Sequence, residues 1–148
     1  MHYSYNFLMT RRSWKQKEIR HIVKENFMIY DTICEKIMKI DEALRFVGVY
    51  THNGEMACSR MRENTTSMLT PEQIQMSMYY AKLRHETREH LSHDIGKEEF
   101  SMTKYEKVVR FTIPFEKDLL LISADTNANY AKIVDEILKV IEETKKLE

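Results

Sequence analysis

Between residues 19 and 40, Ile19, Ile22, Asn26, Ile29 or Tyr30, Ile33, Ile37 and Ile40 recur at steps of three and four. That spacing lines one side of a helix with a 3.6-residue period. Asp31 is placed to cap a second piece should the helix break near Tyr30. The period then falls to two. Arg45 to His52 and Glu55 to Arg62 flank Asn53-Gly54, the pair that best accepts the positive φ angles of a two-residue type I′ turn. In that register Phe46, Gly48, Tyr50, Ala57, Ser59 and Met61 share one face, and Val47, Val49, Met56 and Cys58 the other. A strand pair that is apolar on both sides belongs in the middle of a layered structure.

Glu63 to Thr70 is polar and aperiodic, and Thr70-Pro71-Glu72-Gln73 then opens a helix with a capping residue, a first-turn proline and the second half of a capping box. This helix is expected to run to about Asp94, with Met76, Tyr80, Leu83, Thr87 and Leu91 along its buried side and Gly96 near its C-cap. Alternation returns in Phe100 to Tyr105, Val108 to Pro114 and Leu119 to Ala124, three strands whose short connections favour an antiparallel meander. Pro114 cannot donate to a ladder and marks a strand end. A last helix, capped by Asn127 or Asn129, buries Ile133, Ile137, Val140, Ile141 and Thr144. The predicted fold class is α/β of the α+β type: a five-stranded, mainly antiparallel sheet with helices on both faces, in the order α-β-β-α-β-β-β-α.

At 148 residues the chain matches one domain. Residues 1–16 lack a steady period and read as a basic and aromatic tail, leaving 17–148 as the folded unit. Lys plus Arg and Asp plus Glu each number 23, so no global field favours nucleic acid, membrane or acidic substrates. The bias is local: Arg11, Arg12, Lys15, Lys17, Arg20 and Lys24 face only Glu18, beside Tyr3, Tyr5, Phe7 and Trp14. Nucleic-acid contact, if any, is expected only through this tail. Cys34 and Cys58 lie in apolar segments without metal-ligand spacing, and with no signal peptide or long apolar run they point to a reducing cytoplasm and no membrane partner.

Three clusters carry candidate chemistry. Glu86 with His90, and Glu89 with His93, stand four apart on a helix and are weak metal candidates as Glu86, His90 and His93. Arg45, Arg60 and Arg62 gather at the open end of the predicted hairpin, where Arg45 opposite Arg62 requires an anion, a partner contact or an acidic side chain. Met78, Tyr79 and Tyr80 widen the apolar sector of the middle helix, while Phe100, Met102 and Tyr105 decorate the strand after it; Met78, Tyr79, Phe100, Met102 and Tyr105 are the predicted interface. Gly48, Gly54 and Gly96 are isolated, which excludes phosphate-cradling glycine loops, and no glycine-flanked serine suggests a nucleophile. No cofactor and no catalytic residue is predicted.

The element order is that of roadblock, longin and profilin-like domains. At Arg45-Phe46-Val47-Gly48-Val49, Tyr105-Glu106-Lys107-Val108-Val109 and Leu120-Leu121-Ile122-Ser123-Ala124, the chain also resembles a domain-of-unknown-function family abundant in ammonia-oxidising archaea, over roughly Asp31 to Ile141. It departs from that family's glycine-rich hairpin, carrying Ala57-Cys58-Ser59-Arg60 after the turn. The resemblance brings no reaction, ligand or catalytic residue. Fold analogy implies a non-enzymatic, homodimeric interaction or regulatory scaffold with a protein partner, a small GTPase being the partner the analogy suggests. The alternatives are a PAS- or profilin-like sensor enclosing a small molecule among Tyr50, Met61, Met76, Tyr80 and Phe111, and lastly a metal-dependent enzyme.

Overall fold

The computed structural model describes residues 15–20 and 27–146. The expected tail, with Arg11 and Arg12, and the helix positions Ile22, Lys24 and Asn26 lie outside the described residues, except that residues 15–20 are helical with Ile19 exposed. Helix α1 spans residues 27–38. It does not break at Tyr30: Asp31 sits within it, and Ile33, Cys34 and Ile37 form its buried side. Strands β1 (Leu44–Tyr50) and β2 (Met56–Met61) follow, then α2 (Pro71–Glu89), the short α3 (Ser92–Ile95), β3 (Ser101–Lys104), β4 (Val109–Phe115), β5 (Asp118–Ala124) and α4 (Tyr130–Lys146).

The five strands form one antiparallel sheet in the order β2-β1-β5-β4-β3. β5 lies at its centre and is apolar on both sides, as a strand covered by helices on each face must be. On one face Val47, Val49, Phe111, Ile113, Leu120 and Ile122 meet α1 and α4 in the main core. On the other, Tyr50, Leu119 and Leu121 meet Met78 and Ala81 of α2 in a second, smaller core. The five-stranded antiparallel α+β architecture with helices on both faces is therefore the one the alternation predicts.

Local signals hold at several boundaries. Thr70 Oγ1 accepts from the Gln73 amide at 3.2 Å and Gln73 Oε1 from the Thr70 amide at 2.9 Å, completing the capping box. Asn129 Oδ1 accepts from the Lys132 amide at 3.3 Å, so Asn129 rather than Asn127 opens α4. Pro114 lies one residue inside the end of β4.

The hairpin tip differs from the two-residue turn. The Thr51 amide donates to Glu55 O at 2.8 Å, and the Gly54 amide to Thr51 O at 2.9 Å. Gly54 alone in the loop has positive φ, at 86°. This is a three-residue loop with its left-handed glycine last. Pairing follows the expected register from Phe46↔Met61 to Val49↔Cys58, then slips so that Tyr50 faces Met56. A one-residue slip exchanges faces. Met56 accordingly packs on the second core, and Ala57 on the main one, reversing their predicted sides.

Candidate functional site

α2 is anchored by few residues. Only Met78 and Ala81 are buried along its 19 residues, with Ile74 partly covered. The row Ile74, Met78, Ala81 and His85 steps by four, three and four, and it is this row that faces the sheet. The stripe predicted to be buried faces outward: Met76 is 60%, Tyr80 50%, Leu83 38% and Leu91 53% exposed. The helix also stops at Glu89, since residues 90 and 91 form a turn before α3, which Gly96 closes at φ 90°. Rotating the helix corrects one predicted interface residue. Met78 is 2% exposed and belongs to the second core, whereas Tyr79, Phe100, Met102 and Tyr105 are exposed. The physical reason is helical phase: Met78 shares the sheet-facing row with Ile74 and Ala81 and packs with Leu119 and Leu121, while Tyr79 stands a step round the helix and stays exposed.

Between α2 and the sheet runs a groove of about 240 Å³, floored by Phe46, Met56 and Leu121 and reaching Ser101, Thr103 and Tyr105 of the β3 edge region. Its lining includes Arg45, Arg84, Arg88 and Arg110 and no acidic residue. The Oγ of Ser77, also in the lining, is buried without a hydrogen-bond partner. Of the five residues expected to enclose a small molecule, Met61 and Phe111 line this groove. Tyr50 is buried in the second core, and Met76 and Tyr80 lie exposed on α2, so the five do not converge. No sequence pattern pointed to the groove, because it is set by how far α2 stands off the sheet.

The arginines divide between two carboxylates. Arg45 Nη1 lies 3.2 Å from Asp125 Oδ1 and Arg62 Nη1 3.7 Å from Asp125 Oδ2, so one carboxylate bridges the opposed pair. Arg62 Nη2 also donates to Leu44 O, and Arg45 Nη2 to Thr66 O at 3.3 Å. Arg60, by contrast, pairs with Asp31 of α1 at 2.7 Å. Asp125 follows β5 in the chain and meets the arginines only through strand order, which is why local spacing did not nominate it.

A second polar cluster joins the closed end of the hairpin to the β4–β5 turn. Asp118, 5% exposed, accepts from the Tyr30 hydroxyl, from the His52 amide at 2.9 Å and faces His52 Nδ1 at 3.0 Å. Burial alone would raise its pKa, but the hydrogen bonds from Tyr30 and His52 outweigh it and hold the carboxyl below its ordinary value. Lys82 Nζ donates to His52 O at 2.8 Å, tying α2 to the same tip.

The helix histidines serve different ends. His85 is enclosed by Glu98 at 3.0 Å and Glu89 at 3.1 Å, with Arg88 also on Glu98 at 3.0 Å, which clamps α2 to the segment leading into β3. Glu86, His90 and His93 are exposed, and Glu86 lies 3.9 Å from Lys82. Among the described residues no three His, Cys, Asp or Glu side chains converge as a metal site, and no helix is long and apolar enough to cross a membrane.

Comparison with solved structures gives the same fold. The chain is similar to MglB of Myxococcus xanthus, with a TM-score of 0.65 and 14% identity over 83% of this chain and 90% of that one. It is similar to a roadblock/LC7 domain from Streptomyces avermitilis, with a TM-score of 0.61 and 11% identity over 79% and 95%. An MglB described in a tetrameric arrangement matches with a TM-score of 0.50 and 11% identity over 78% and 92%. At such identities the likeness is one of fold: a roadblock/LC7 architecture. No curated protein sequence matches. Residues 22–146 match the model of a family of unknown function, DUF6659, and the chain belongs to that family.

Proposed function

We propose that this chain is a regulatory protein-interaction module that catalyses no reaction and works as a homodimer, joined along the β3 edge and the outward side of α2. One observation carries the reading: α2 turns its larger apolar row, Met76, Tyr79, Tyr80 and Leu83, away from its own sheet. Such a row, near the β3 edge, which pairs with no further strand among the described residues and carries Met102 between Phe100 and Tyr105, is the composition that self-associating surfaces bury. Lys104 blunts that edge only in part, and it lies over the Tyr130 ring at 6.0 Å. The tetrameric MglB among the similar structures is consistent with self-association in this fold. The dimer then presents its remaining surface to a second protein, and the roadblock architecture makes a small GTPase the first candidate to test.

Light scattering at micromolar concentration is expected to give about twice the chain mass. Tyr79→Asp with Met102→Asp should shift it to monomer while the circular dichroism spectrum stays folded. Met78 is left intact, since a charge there would enter the second core. A parent protein that remains monomeric across the accessible range overturns the reading.

The groove with its arginine rim and unpartnered Ser77 hydroxyl favours a second reading, a small-molecule sensor. Native mass spectrometry separates the two: a stoichiometric non-peptide adduct on freshly purified protein supports the sensor, and an adduct-free dimer supports the scaffold.

A further inference from the structure

The chain has two cysteines, and the fold places both in the main core from different elements. Cys34 stands three residues after Asp31 on α1, so the two share one side of the helix. Asp31 Oδ1 accepts from the Cys58 thiol at 3.4 Å and from Arg60 Nη2 at 2.7 Å, which places β2 directly against that side. Both cysteines belong to the main core, Asp31 bridges α1 to the Cys58 thiol, and each thiol acts on the ionisation of the other. We propose that Cys34 and Cys58 are the site of an intramolecular disulfide that forms under oxidising conditions and pins α1 to the edge strand β2.

Exposure fixes the order of events. Cys58 is 9% exposed on an edge strand and Cys34 is fully buried, so a small disulfide oxidant reaches Cys58 first. The Cys58 sulfur attacks one oxidant sulfur, its proton leaves, and the first small thiol departs as a mixed disulfide forms. The Cys34 sulfur then loses its proton and attacks the Cys58 sulfur, expelling the second small thiol. Two protein thiols lose two electrons in all, and the oxidant gains them.

Burial raises the pKa of both thiols, so the reaction is slow at neutral pH and quickens in mild alkali. Asp31 opposes loss of either proton, and Arg60 partly offsets it. The closed bond constrains the unfolded chain between α1 and β2, so the oxidised protein melts higher.

The test uses the native full chain and oxidised glutathione at about pH 7.5 and about pH 9, where an ordinary thiol passes its pKa. After quenching with N-ethylmaleimide, intact mass is expected to show loss of two hydrogens, no alkylation and no glutathione. A melting temperature raised by several degrees should return to its starting value with dithiothreitol. Cys34→Ser is expected to stop at a glutathione adduct on Cys58. Two alkylated thiols at both pH values, a stable adduct on the parent chain, or a bond that forms only in denaturant overturns the proposal. These readouts require no partner, so they stand or fall separately from dimerisation.

Discussion

Asp118→Ala is expected to be the most damaging change to a polar side chain in the structure. Asp118 is 5% exposed and accepts from the Tyr30 hydroxyl and the His52 amide, while its contact with the His52 ring at 3.0 Å involves a side chain that is 53% exposed. The ring contact is screened and contributes little. The Tyr30 hydroxyl and the His52 amide each lose a charge-assisted bond to a buried carboxylate, at about 1–3 kcal/mol each. Together these give a loss of about 3–5 kcal/mol. For a chain of this length each kcal/mol moves the melting temperature by roughly 2–4 °C, so calorimetry should record a fall of about 6–20 °C. Asp118→Asn keeps the shape and an acceptor for the His52 amide, and should cost only about 1–2 kcal/mol. The pH dependence has a definite sign. Because the folded carboxyl titrates below its ordinary value of 3.8, its contribution is present above that value and is lost as pH falls through the depressed folded value. Asp118→Asn should therefore flatten the acid limb of the stability profile. An Ala variant that loses under about 1 kcal/mol, or an Asn variant with the parent's acid limb, refutes the account.

Three further measurements check other parts of the structure. Met78→Ala should cost about 2–5 kcal/mol by denaturant titration, whereas Met76→Ala should stay within about 0.5 kcal/mol for the monomer, because only Met78 is buried. The opposite ranking would mean that α2 is rotated. Gly54→Ala should cost about 1–2 kcal/mol because its φ of 86° is left-handed, while Gly54→Asn should recover much of that in thermal melts. Asp125→Ala should destabilise by about 0.5–2 kcal/mol by leaving Arg45 and Arg62 opposed, and addition of Arg62→Ala should restore part of the loss.

The strands, α4 and the capping box around Thr70 were legible in the sequence because each depends on nearest neighbours along the chain. The misread features depend on what a segment packs against. α2 offers two apolar rows, and periodicity favours the one with larger side chains, Met76, Tyr80 and Leu83. The sheet accepts the narrower row, whose Met78 and Ala81 pack on Tyr50, Leu119 and Leu121. The hairpin signal of Asn53-Gly54 was sound as a turn, yet only Gly54 takes the left-handed conformation, and the resulting slip exchanged Met56 and Ala57. Asp118 and Asp125 gave no signal, since their partners lie in other elements.

Those two carboxylates also answer a question that hydrophobic alternation leaves open. Alternation sets register when one face is apolar and the other polar, because a slip then exposes core. β5 is apolar on both faces, so sliding it against β1 would still bury Leu or Ile side chains. Register needs another source. Asp118 stands at the first residue of β5 and holds the hairpin tip through His52, while Asp125 stands just past its last residue and holds Arg45 and Arg62 at the hairpin's open end. The Asp125 amide donates to Ala43 O at 2.8 Å, extending the same alignment by one more bond. A slip of one residue in either direction would part Asp118 from the His52 amide at one end and Asp125 from Arg45 and Arg62 at the other, with a penalty of about 1–3 kcal/mol at the buried Asp118. The polar groups at the two ends thus do for β1 and β5 what a polar face does for an ordinary edge strand. They also fix where β2 lies, and with it the contact between Cys58 and α1.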